Sequence, residues 1–184
     1  MKDIFFSPFP VFDLGNGFVL DAISPELDTD DYFFYLNSPQ VRPFISSGNL
    51  PHSINKARED LQYWSSVFNL QRSIYWAIRD VETRKMVGTV GFNNISFIHF
   101  RGEISYDLSC DYWSRGIMTK AINKIIHFGM NEMSLVRIQA YTARNNKKSM
   151  KLLERCKFKM EGVLRKFEQI DSQHLDYVMY SIIK

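Results

Sequence analysis

The sequence predicts an α+β fold in which helices flank a mixed, mostly antiparallel sheet. Segments with the period of a strand alternate with segments of helical period in the order strand, helix, helix, three strands, helix, strand, helix and two strands. The 184 residues suit one domain, and 45% apolar with 15% aromatic residues supply one hydrophobic core. We therefore expect a single domain over residues 1–184.

The first part of the chain predicts one strand followed by two helices. Residues 18–23 have a strand pattern, and residues 26–36 predict a helix in which Ser24 is the candidate cap and Pro25 takes the favoured first position. Ser53 is the candidate cap of the second helix, whose apolar residues recur near helical spacing.

The middle of the chain predicts three strands. Residues 73–79 and 85–92 are rich in β-branched and aromatic residues, and the polar residues 80–84 between them predict a hairpin connection. Residues 103–109 alternate with period two. The polar residues of the predicted strand at 103–109 share one face: Glu103, Ser105 and Asp107.

The last part of the chain predicts a helix, a strand, a second helix and a closing hairpin. Apolar residues keep helical spacing from Ile117 onward. Residues 135–142 predict a strand, residues 146–156 a helix, and residues 164–170 with 175–183 the hairpin.

The turn between the predicted strand at 103–109 and the following helix is the most informative local feature. Gly116 stands where the helix begins, with Ser114 and Thr119 beside it. Free backbone N–H groups at the positive end of a helix dipole bind anions, so this turn predicts a phosphate site. The chain has no G-x-G-x-x-G and no Gly-Lys-Ser/Thr, which excludes the usual dinucleotide and P-loop fingerprints. An ordinary strand-to-helix loop is the alternative.

Composition excludes several classes of function. The net charge of +3 is small and spread along the chain, so we expect no direct nucleic-acid binding, although a polyanionic ligand suits it. No apolar run approaches the roughly 20 residues of a membrane span, and the first residues are too short in apolar character for a signal peptide. Two distant cysteines and four histidines without ligand spacing predict free thiols, no metal and a cytoplasmic location.

Seven short motifs occur in one order along the chain. They are MVGTVGF at 86–92, EISYDL at 103–108, YWSRG at 112–116, N-x-x-S at 146–149, LLERCKF at 152–158, EGVLR at 161–165 and DYVMYS at 176–181. In order and wording they resemble the GNAT superfamily of acetyl-CoA-dependent N-acetyltransferases, and within it the Rim-type branch of ribosomal-protein N-terminal acetyltransferases. The resemblance covers nearly the whole chain.

The resemblance implies a function and a place for the cofactor. It implies direct transfer, through a ternary complex, of an acetyl group from acetyl-CoA to a primary amine. The acceptor is either a protein N-terminal α-amine or a small-molecule amine, and the protein is a monomer or a homodimer. The cofactor cleft lies between the fourth and fifth predicted strands. No metal is implied.

The cofactor residues follow from the turn and the resemblance together. Backbone N–H groups of residues 114–119 are expected to hold the diphosphate, and backbone groups at the end of the preceding strand to pair with the pantetheine arm. The resemblance adds an asparagine that binds the same arm. The expected cofactor-binding residues are Leu108, Ser109, Ser114, Arg115, Gly116, Ile117, Met118, Thr119 and Asn146.

Two residues are candidates for catalysis. By resemblance, Ser149 protonates the departing thiolate; it stands close to one helical turn after Asn146, and capping of an ordinary helix is the alternative. Glu103 is the candidate base that deprotonates the amine through water, with a solvated charge paired with Arg101 as the alternative. Asp107 is a weaker candidate on the same face.

The resemblance also implies a region that lines the acceptor pocket, and three aromatic residues occupy it: Tyr32, Tyr35 and Phe44. A place in the core beside the first helix is the alternative for them.

Two departures from the family pattern bear on function and on folding. Met118 replaces a small residue, so it either crowds the diphosphate or points into the core, and a non-catalytic acyl-CoA-binding module is the alternative function. Lys157 replaces a glycine at a helix end where a left-handed residue is favoured, at a cost of about 1 kcal/mol.

Overall fold

The computed structural model describes residues 8–70, 72–170 and 172–184. In this part of the chain eight strands form one sheet, and four helices flank it. The strands are β1 (Phe12–Gly15), β2 (Phe18–Ala22), β3 (Ile74–Asp80), β4 (Met86–Ser96), β5 (Arg101–Leu108), β6 (Arg137–Ala143), β7 (Lys159–Ile170) and β8 (Gln173–Ile183). The helices are α1 (Pro25–Leu36), α2 (Ile54–Asn69), α3 (Ile117–Asn131) and α4 (Lys147–Arg155).

The sheet has the order β1-β2-β3-β4-β5-β6-β8-β7. The pair β5–β6 is parallel and the other neighbours are antiparallel. The predicted α+β fold with a mixed, mostly antiparallel sheet is therefore confirmed.

Each face of the sheet carries its own core. Alternation along β3 sends Trp76 to the core that α3 and α4 cover, and Tyr75 to the smaller core under α1 and α2. The apolar stripe predicted from Ile117 onward is the buried face of α3. Met118 belongs to this core with 6% of its surface exposed, so its side chain packs inward.

The parallel pairing of β5 and β6 is short. Its three pairs are Arg101 with Arg137, Gly102 with Ile138, and Glu103 with Gln139. Beyond Glu103 and Gln139 the two strands continue to Leu108 and Ala143 without pairing, so a cleft opens between them. The cofactor cleft was predicted in this place, between the predicted strands at residues 103–109 and 135–142, which are β5 and β6 of the structure.

The open edge of β5 carries unpaired backbone groups. The N–H of Ser109 donates to the carbonyl of Val87 in β4 at a distance of 2.7 Å, so this N–H lies on the β4 side of the strand. Because successive residues of a strand alternate their N–H and C=O groups, those of Tyr106 and Leu108 face the cleft, where the Leu108 carbonyl accepts the Trp113 indole N–H.

The strand β1 was not predicted. It pairs with β2 through a turn in which Gly15, Asn16 and Gly17 have φ of 68°, 58° and 79°. The Asn16-Gly17 pair is a hairpin signal, but four residues of β1 are too few to show a clear period.

Two predicted helix caps differ in outcome. Ser53 Oγ accepts the Lys56 N–H at 3.1 Å, so this cap is confirmed. The predicted side-chain cap by Ser24 is wrong, because its hydroxyl donates to Glu26 instead.

The left-handed end of α4 is confirmed. Lys157 has φ 70°, and the N–H groups of Lys157 and Phe158 donate to Glu154 and Leu153 carbonyls at 3.0 Å each. This pair of bonds is a Schellman motif built without glycine.

A buried ion pair ties α1 to the sheet. Asp28 is fully buried, and its carboxylate accepts hydrogen bonds from Arg79 at 2.7 and 3.1 Å and from the Ser24 N–H at 2.8 Å. We expect Asp28→Asn to lower the free energy of unfolding by about 3 kcal/mol, because it removes the buried carboxylate that pairs with the Arg79 guanidinium. Denaturant unfolding measures this. Asp30→Asn, at an exposed position of the same helix, is the control, and equal stability of the two variants would contradict the role of Asp28.

Candidate active site

A cavity of about 450 Å³ occupies the cleft between β5 and β6. Its walls come from the diverging halves of these two strands, the start of α3, one side of α4 and the segment after α1. The volume lies in the range of about 300–1,000 Å³ that is usual for ligand sites.

The predicted phosphate cradle forms one end of the cavity. Ser114 and Gly116 have left-handed φ of 62° and 76°, and Gly116 is the residue before the first turn of α3. Within the described residues, no backbone N–H of residues 114–119 donates to another protein group. A Cβ at Gly116 would meet nothing within 4 Å, so the φ angle, and not crowding, favours glycine here. The free N–H groups at a helix start suit an anion.

Basic side chains of α4 line the same cavity. They are Lys148, Lys151 and Arg155. Lys148 Nζ lies 3.8 Å from the centre of the Trp113 ring, and the Trp113 indole donates to the Leu108 carbonyl at 2.9 Å. These cations add positive charge beside the cradle, which favours a ligand with several phosphates.

A pair of hydroxyl groups lies deep in the cavity. Tyr106 Oη and Ser149 Oγ are 2.7 Å apart. Burial raises the pKa of Tyr106 above its ordinary value, and the hydrogen bond with Ser149 opposes this rise. Tyr106 therefore stays protonated at neutral pH, and it can donate to Ser149 while Ser149 donates into the cavity.

Asn146 holds the start of α4 beside this pair. Its Oδ1 accepts the Ser149 backbone N–H at 3.1 Å, which is an N-cap. Capping, which was the alternative to the roles expected for these residues, is thus present at Asn146, and Asn146 and Ser149 also line the cavity.

One carboxylate lies in the cavity wall, and it is fully engaged. Asp107 accepts the Tyr35 hydroxyl at 2.6 Å, the Thr89 N–H at 3.0 Å and the Thr89 hydroxyl at 2.6 Å. Burial raises the Asp107 pKa, and the hydrogen bonds from Thr89 and Tyr35 act in the opposite direction. Among the described residues that line the cavity, Asp107 is the only acidic one.

Glu103 lies at the closed end of the cleft. It is the last β5 residue paired with β6, and its carboxylate accepts Gln139 Nε2 at 3.4 Å. The same Nε2 donates to the Tyr141 hydroxyl at 2.8 Å, and Tyr141 lines the cavity. Glu103 is half-buried beside the cavity and is not part of its wall.

The structure brings most of the predicted site residues together. The cavity wall contains Leu108, Ser114, Gly116, Ile117, Met118, Thr119, Asn146, Ser149 and Phe44.

The other predicted site residues lie outside the wall. Ser109 donates its N–H to β4, and the Arg115 guanidinium donates to the Asp111 carbonyl at 2.7 Å. Tyr32 and Tyr35 are buried in the core under α1 and α2, and Tyr35 reaches the cavity only through its hydrogen bond to Asp107.

Several lining residues were not predicted. They include Val41, Ile45, Tyr106, Trp113 and Tyr177. The period-two pattern predicts Tyr106 on the face of β5 opposite Glu103 and Asp107. The sequence carries no signal that this face meets α4.

Two classes of feature are not found in the described part of the chain. No helix there has the length and apolar character to cross a membrane. No group of three or more His, Cys, Asp or Glu side chains there is arranged to hold a metal ion.

Comparison with known sequences identifies relatives over most of the chain. Residues 18–159 match the acetyltransferase (GNAT) domain family. The uncharacterized N-acetyltransferase YoaA of Bacillus subtilis strain 168 is 28% identical over 176 residues, which are 96% of this chain and 98% of YoaA. The uncharacterized N-acetyltransferase p20 of Bacillus licheniformis is 31% identical over 157 residues, 85% of this chain and 88% of p20. The ribosomal protein uS5-alanine N-acetyltransferase of Escherichia coli K12 is 25% identical over 111 residues, 60% and 57% of the two chains.

Solved structures share the fold. The microcin C7 self-immunity acetyltransferase MccE, in complex with acetyl-CoA and AMP, has a TM-score of 0.84 at 22% identity, with 99% of this chain and 100% of that chain covered. The ribosomal-protein-S5-alanine acetyltransferase from Vibrio fischeri has a TM-score of 0.82 at 24% identity, with 95% and 96% covered. At these identities the likeness concerns the fold alone.

The contact between Tyr35 and Asp107 yields a test of the site's electrostatics. Tyr35→Phe removes a donor that stabilises the ionised carboxylate, so we expect the Asp107 pKa, already raised by burial, to rise further. An NMR titration of the Asp107 carboxyl carbon measures this. Tyr32→Phe removes a neighbouring buried hydroxyl and leaves the Tyr35 bond in place, so it is the control. An unchanged or lower Asp107 pKa in Tyr35→Phe would contradict the assigned contact.

Proposed function

Because this chain belongs to the GNAT acetyltransferase family, we propose that it acetylates the α-amine at the N-terminus of a protein. The chain is an acetyl-CoA-dependent N-acetyltransferase, and a non-catalytic acyl-CoA-binding module is not favoured. Acetyltransferases named for alanine of a ribosomal protein are among its relatives and structural neighbours. The N-acetyltransferase activity follows from the family, and the α-amine as acceptor is what we propose.

The single observation that carries this proposal is the lack of free acidic groups in the described cavity wall. A polyamine has several positive charges and requires several carboxylates to bind it. The one carboxylate there, Asp107, already accepts three hydrogen bonds from Tyr35 and Thr89. A protein N-terminus brings one amine, and its remaining contacts are made by peptide and side-chain groups.

The ionisation of the acceptor supports the same choice. An α-amine has a pKa of about 8, so about one molecule in ten is neutral at pH 7. A lysine-type amine with a pKa of about 10.4 is neutral in about one molecule in 2,500. An α-amine therefore needs less help from a base, which suits a site whose cavity wall has no free carboxylate.

Acetyl-CoA is proposed to lie along the cleft. Its diphosphate binds the free N–H groups of residues 114–119, with cations of α4 nearby. Its pantetheine arm pairs with the open edge of β5 at Tyr106 and Leu108, and with Asn146 from α4. The thioester then lies toward the closed end of the cleft, near Glu103.

Acetyl transfer needs an attack and a proton transfer. The neutral amine attacks the thioester carbonyl carbon, the C–S bond breaks, and one N–H proton of the amine ends on the leaving sulfur. Ser149 is proposed to take that proton and give its own to the sulfur, so it does not ionise. Tyr106 donates a hydrogen bond to Ser149 and keeps its proton. Burial raises the pKa of Tyr106 well above the ordinary thiol pKa of about 8.5, so the leaving thiolate is too weak a base to deprotonate it.

Glu103 remains the proposed base. It stands next to the cavity and not in its wall, so it acts through water on an ammonium group at the closed end of the cleft. Gln139 holds its carboxylate by the 3.4 Å hydrogen bond.

Gly116 gives a test of the cofactor site. Gly116→Asp places a carboxylate against the diphosphate, so we expect it to abolish the thermal stabilisation that saturating acetyl-CoA gives, about 2.7 kcal/mol at 100 times the Kd. Gly116→Asn is the control, because asparagine has nearly the same shape, tolerates a left-handed φ and has no charge. Full stabilisation of the Asp variant would overturn the assignment.

Ser149 gives a test of the proton transfer. We expect Ser149→Ala to lower kcat about 10²-fold while the Kd of acetyl-CoA stays nearly unchanged. The substitution leaves the N-cap intact, because Asn146 accepts the backbone N–H of residue 149. Tyr106→Phe is the companion variant and should lose less. If affinity for acetyl-CoA falls as much as kcat does in Ser149→Ala, Ser149 binds the cofactor and does not relay the proton.

The acceptor is tested by direct competition. Peptides with a free N-terminal alanine or serine, N-terminally blocked peptides that contain lysine, and spermidine are compared by the release of free thiol from acetyl-CoA. We expect kcat/KM for the free α-amine to exceed the others by at least about 10²-fold, partly because of the difference in amine pKa. Fragment mass spectrometry locates the acetyl group. Preference for spermidine or a lysine side chain would overturn the proposal.

A further inference from the structure

An exposed aromatic residue stands beside the mouth of the cavity. Phe167 of β7 is 51% exposed, and its ring centre lies 5.3 Å from that of Tyr141 and 5.5 Å from that of Tyr177. Both tyrosines line the cavity. We call these three residues the aromatic platform. It extends the cavity wall outward to solvent.

A bulge in β7 presents Phe167. Leu164 pairs with Tyr177 and Glu168 pairs with Leu175, so three residues of β7 lie opposite the single residue Asp176. Lys166 in the bulge has φ 50°, and its N–H donates to Asp176 Oδ1 at 2.9 Å. Bulges redirect side chains and occur beside active sites. A left-handed φ is uncommon for a lysine, so the bulge is a specific local feature of this hairpin.

The platform lies on a part of the sheet that the core under α1 and α2 does not reach. Gln139 and Tyr141 share one face of β6, the face from which Gln139 reaches Glu103. The core under α1 and α2, which covers this side at β3, contains no residue of β6, β7 or β8 among the described residues. A polypeptide that enters the cavity from this side passes over the platform.

We propose that the aromatic platform binds an apolar side chain within the first three residues of the acceptor protein. The proposal rests on the proposed function, since it needs a polypeptide acceptor. An extended chain advances about 3.3 Å per residue, so the 5.3 Å from Tyr141 to Phe167 corresponds to between one and two residues. An amine that reaches the cavity beside Tyr141 therefore places the second or third side chain on Phe167.

Aromatic rings are suited to this role. They present a large rigid apolar surface and lose little conformational freedom on binding, and such anchors commonly dominate recognition. Phe167 thereby sets a preference among acceptors and takes no part in bond making. Its removal should change discrimination between peptides and leave the handling of acetyl-CoA unchanged.

The test uses four peptides that begin with alanine and have glycine or leucine at positions two and three. For the wild-type enzyme we expect leucine in at least one of these positions to raise kcat/KM about tenfold over glycine, chiefly through KM. In Phe167→Ala the ratio of kcat/KM for leucine to that for glycine should fall close to one. The rate on the peptide with glycine at both positions, and the stabilisation by acetyl-CoA, should be unchanged. Phe167→Leu should keep part of the preference. Val163→Ala, at another exposed apolar position of β7, should keep all of it.

The outcomes separate this proposal from the proposed function. If wild-type enzyme acetylates the peptides and the leucine preference is absent or survives in Phe167→Ala, the platform proposal is wrong and the proposed function stands. If the wild-type enzyme acetylates no peptide but acts on a small amine, both are wrong. Loss of acetyl-CoA stabilisation in Phe167→Ala would show a structural role and would also overturn the platform proposal.

Discussion

The early end of pairing between β5 and β6 is the constraint on which the site depends. After Glu103 and Gln139 each strand keeps its partner on the outer side, β4 for β5 and β8 for β6. The strands can therefore diverge without losing the sheet. The inner edge of β5 then presents the backbone groups of Tyr106 and the N–H of Leu108 to the cleft without a strand partner, and buried groups of this kind require a partner. A ligand with amide groups along an extended arm supplies such partners.

The same divergence sets the positions of the two helices, α3 and α4, whose first turns line the cavity. The chain leaves β5 and turns through Gly116 into α3, so the start of α3 lies at the wide end of the cleft. The chain leaves β6 and enters α4 through Asn146, which places Ser149 opposite Tyr106 on the other strand. Backbone N–H groups without a protein acceptor thus stand at one end of the cleft, and neutral hydroxyl groups lie between the strands. This arrangement suits a cofactor with charged phosphates and a neutral thioester.

Local signals made part of this site predictable. The Gly116 turn, the start of α3 and the Asn146 N-cap each depend on a few consecutive residues. The sequence predicted the first two and offered capping as an alternative at the third. Contacts between distant segments were not predictable: Tyr106 and Ser149 meet across 43 residues, and the Tyr35 hydroxyl reaches Asp107 across 72. The Phe167 bulge was also missed, since pairing between β7 and β8 decides it and the sequence pattern does not.

Residue-resolved amide hydrogen exchange, with and without acetyl-CoA, shows whether the cofactor occupies the cleft between β5 and β6. We expect slower exchange on binding at the N–H groups of Tyr106, Leu108 and residues 114–119, because the cofactor pairs with groups that have no protein partner. The N–H of Ser109, already bonded to Val87, should change little by comparison. Protection confined to other segments, with Tyr106 and Leu108 unchanged, would contradict the claim that the cofactor occupies the cleft between β5 and β6.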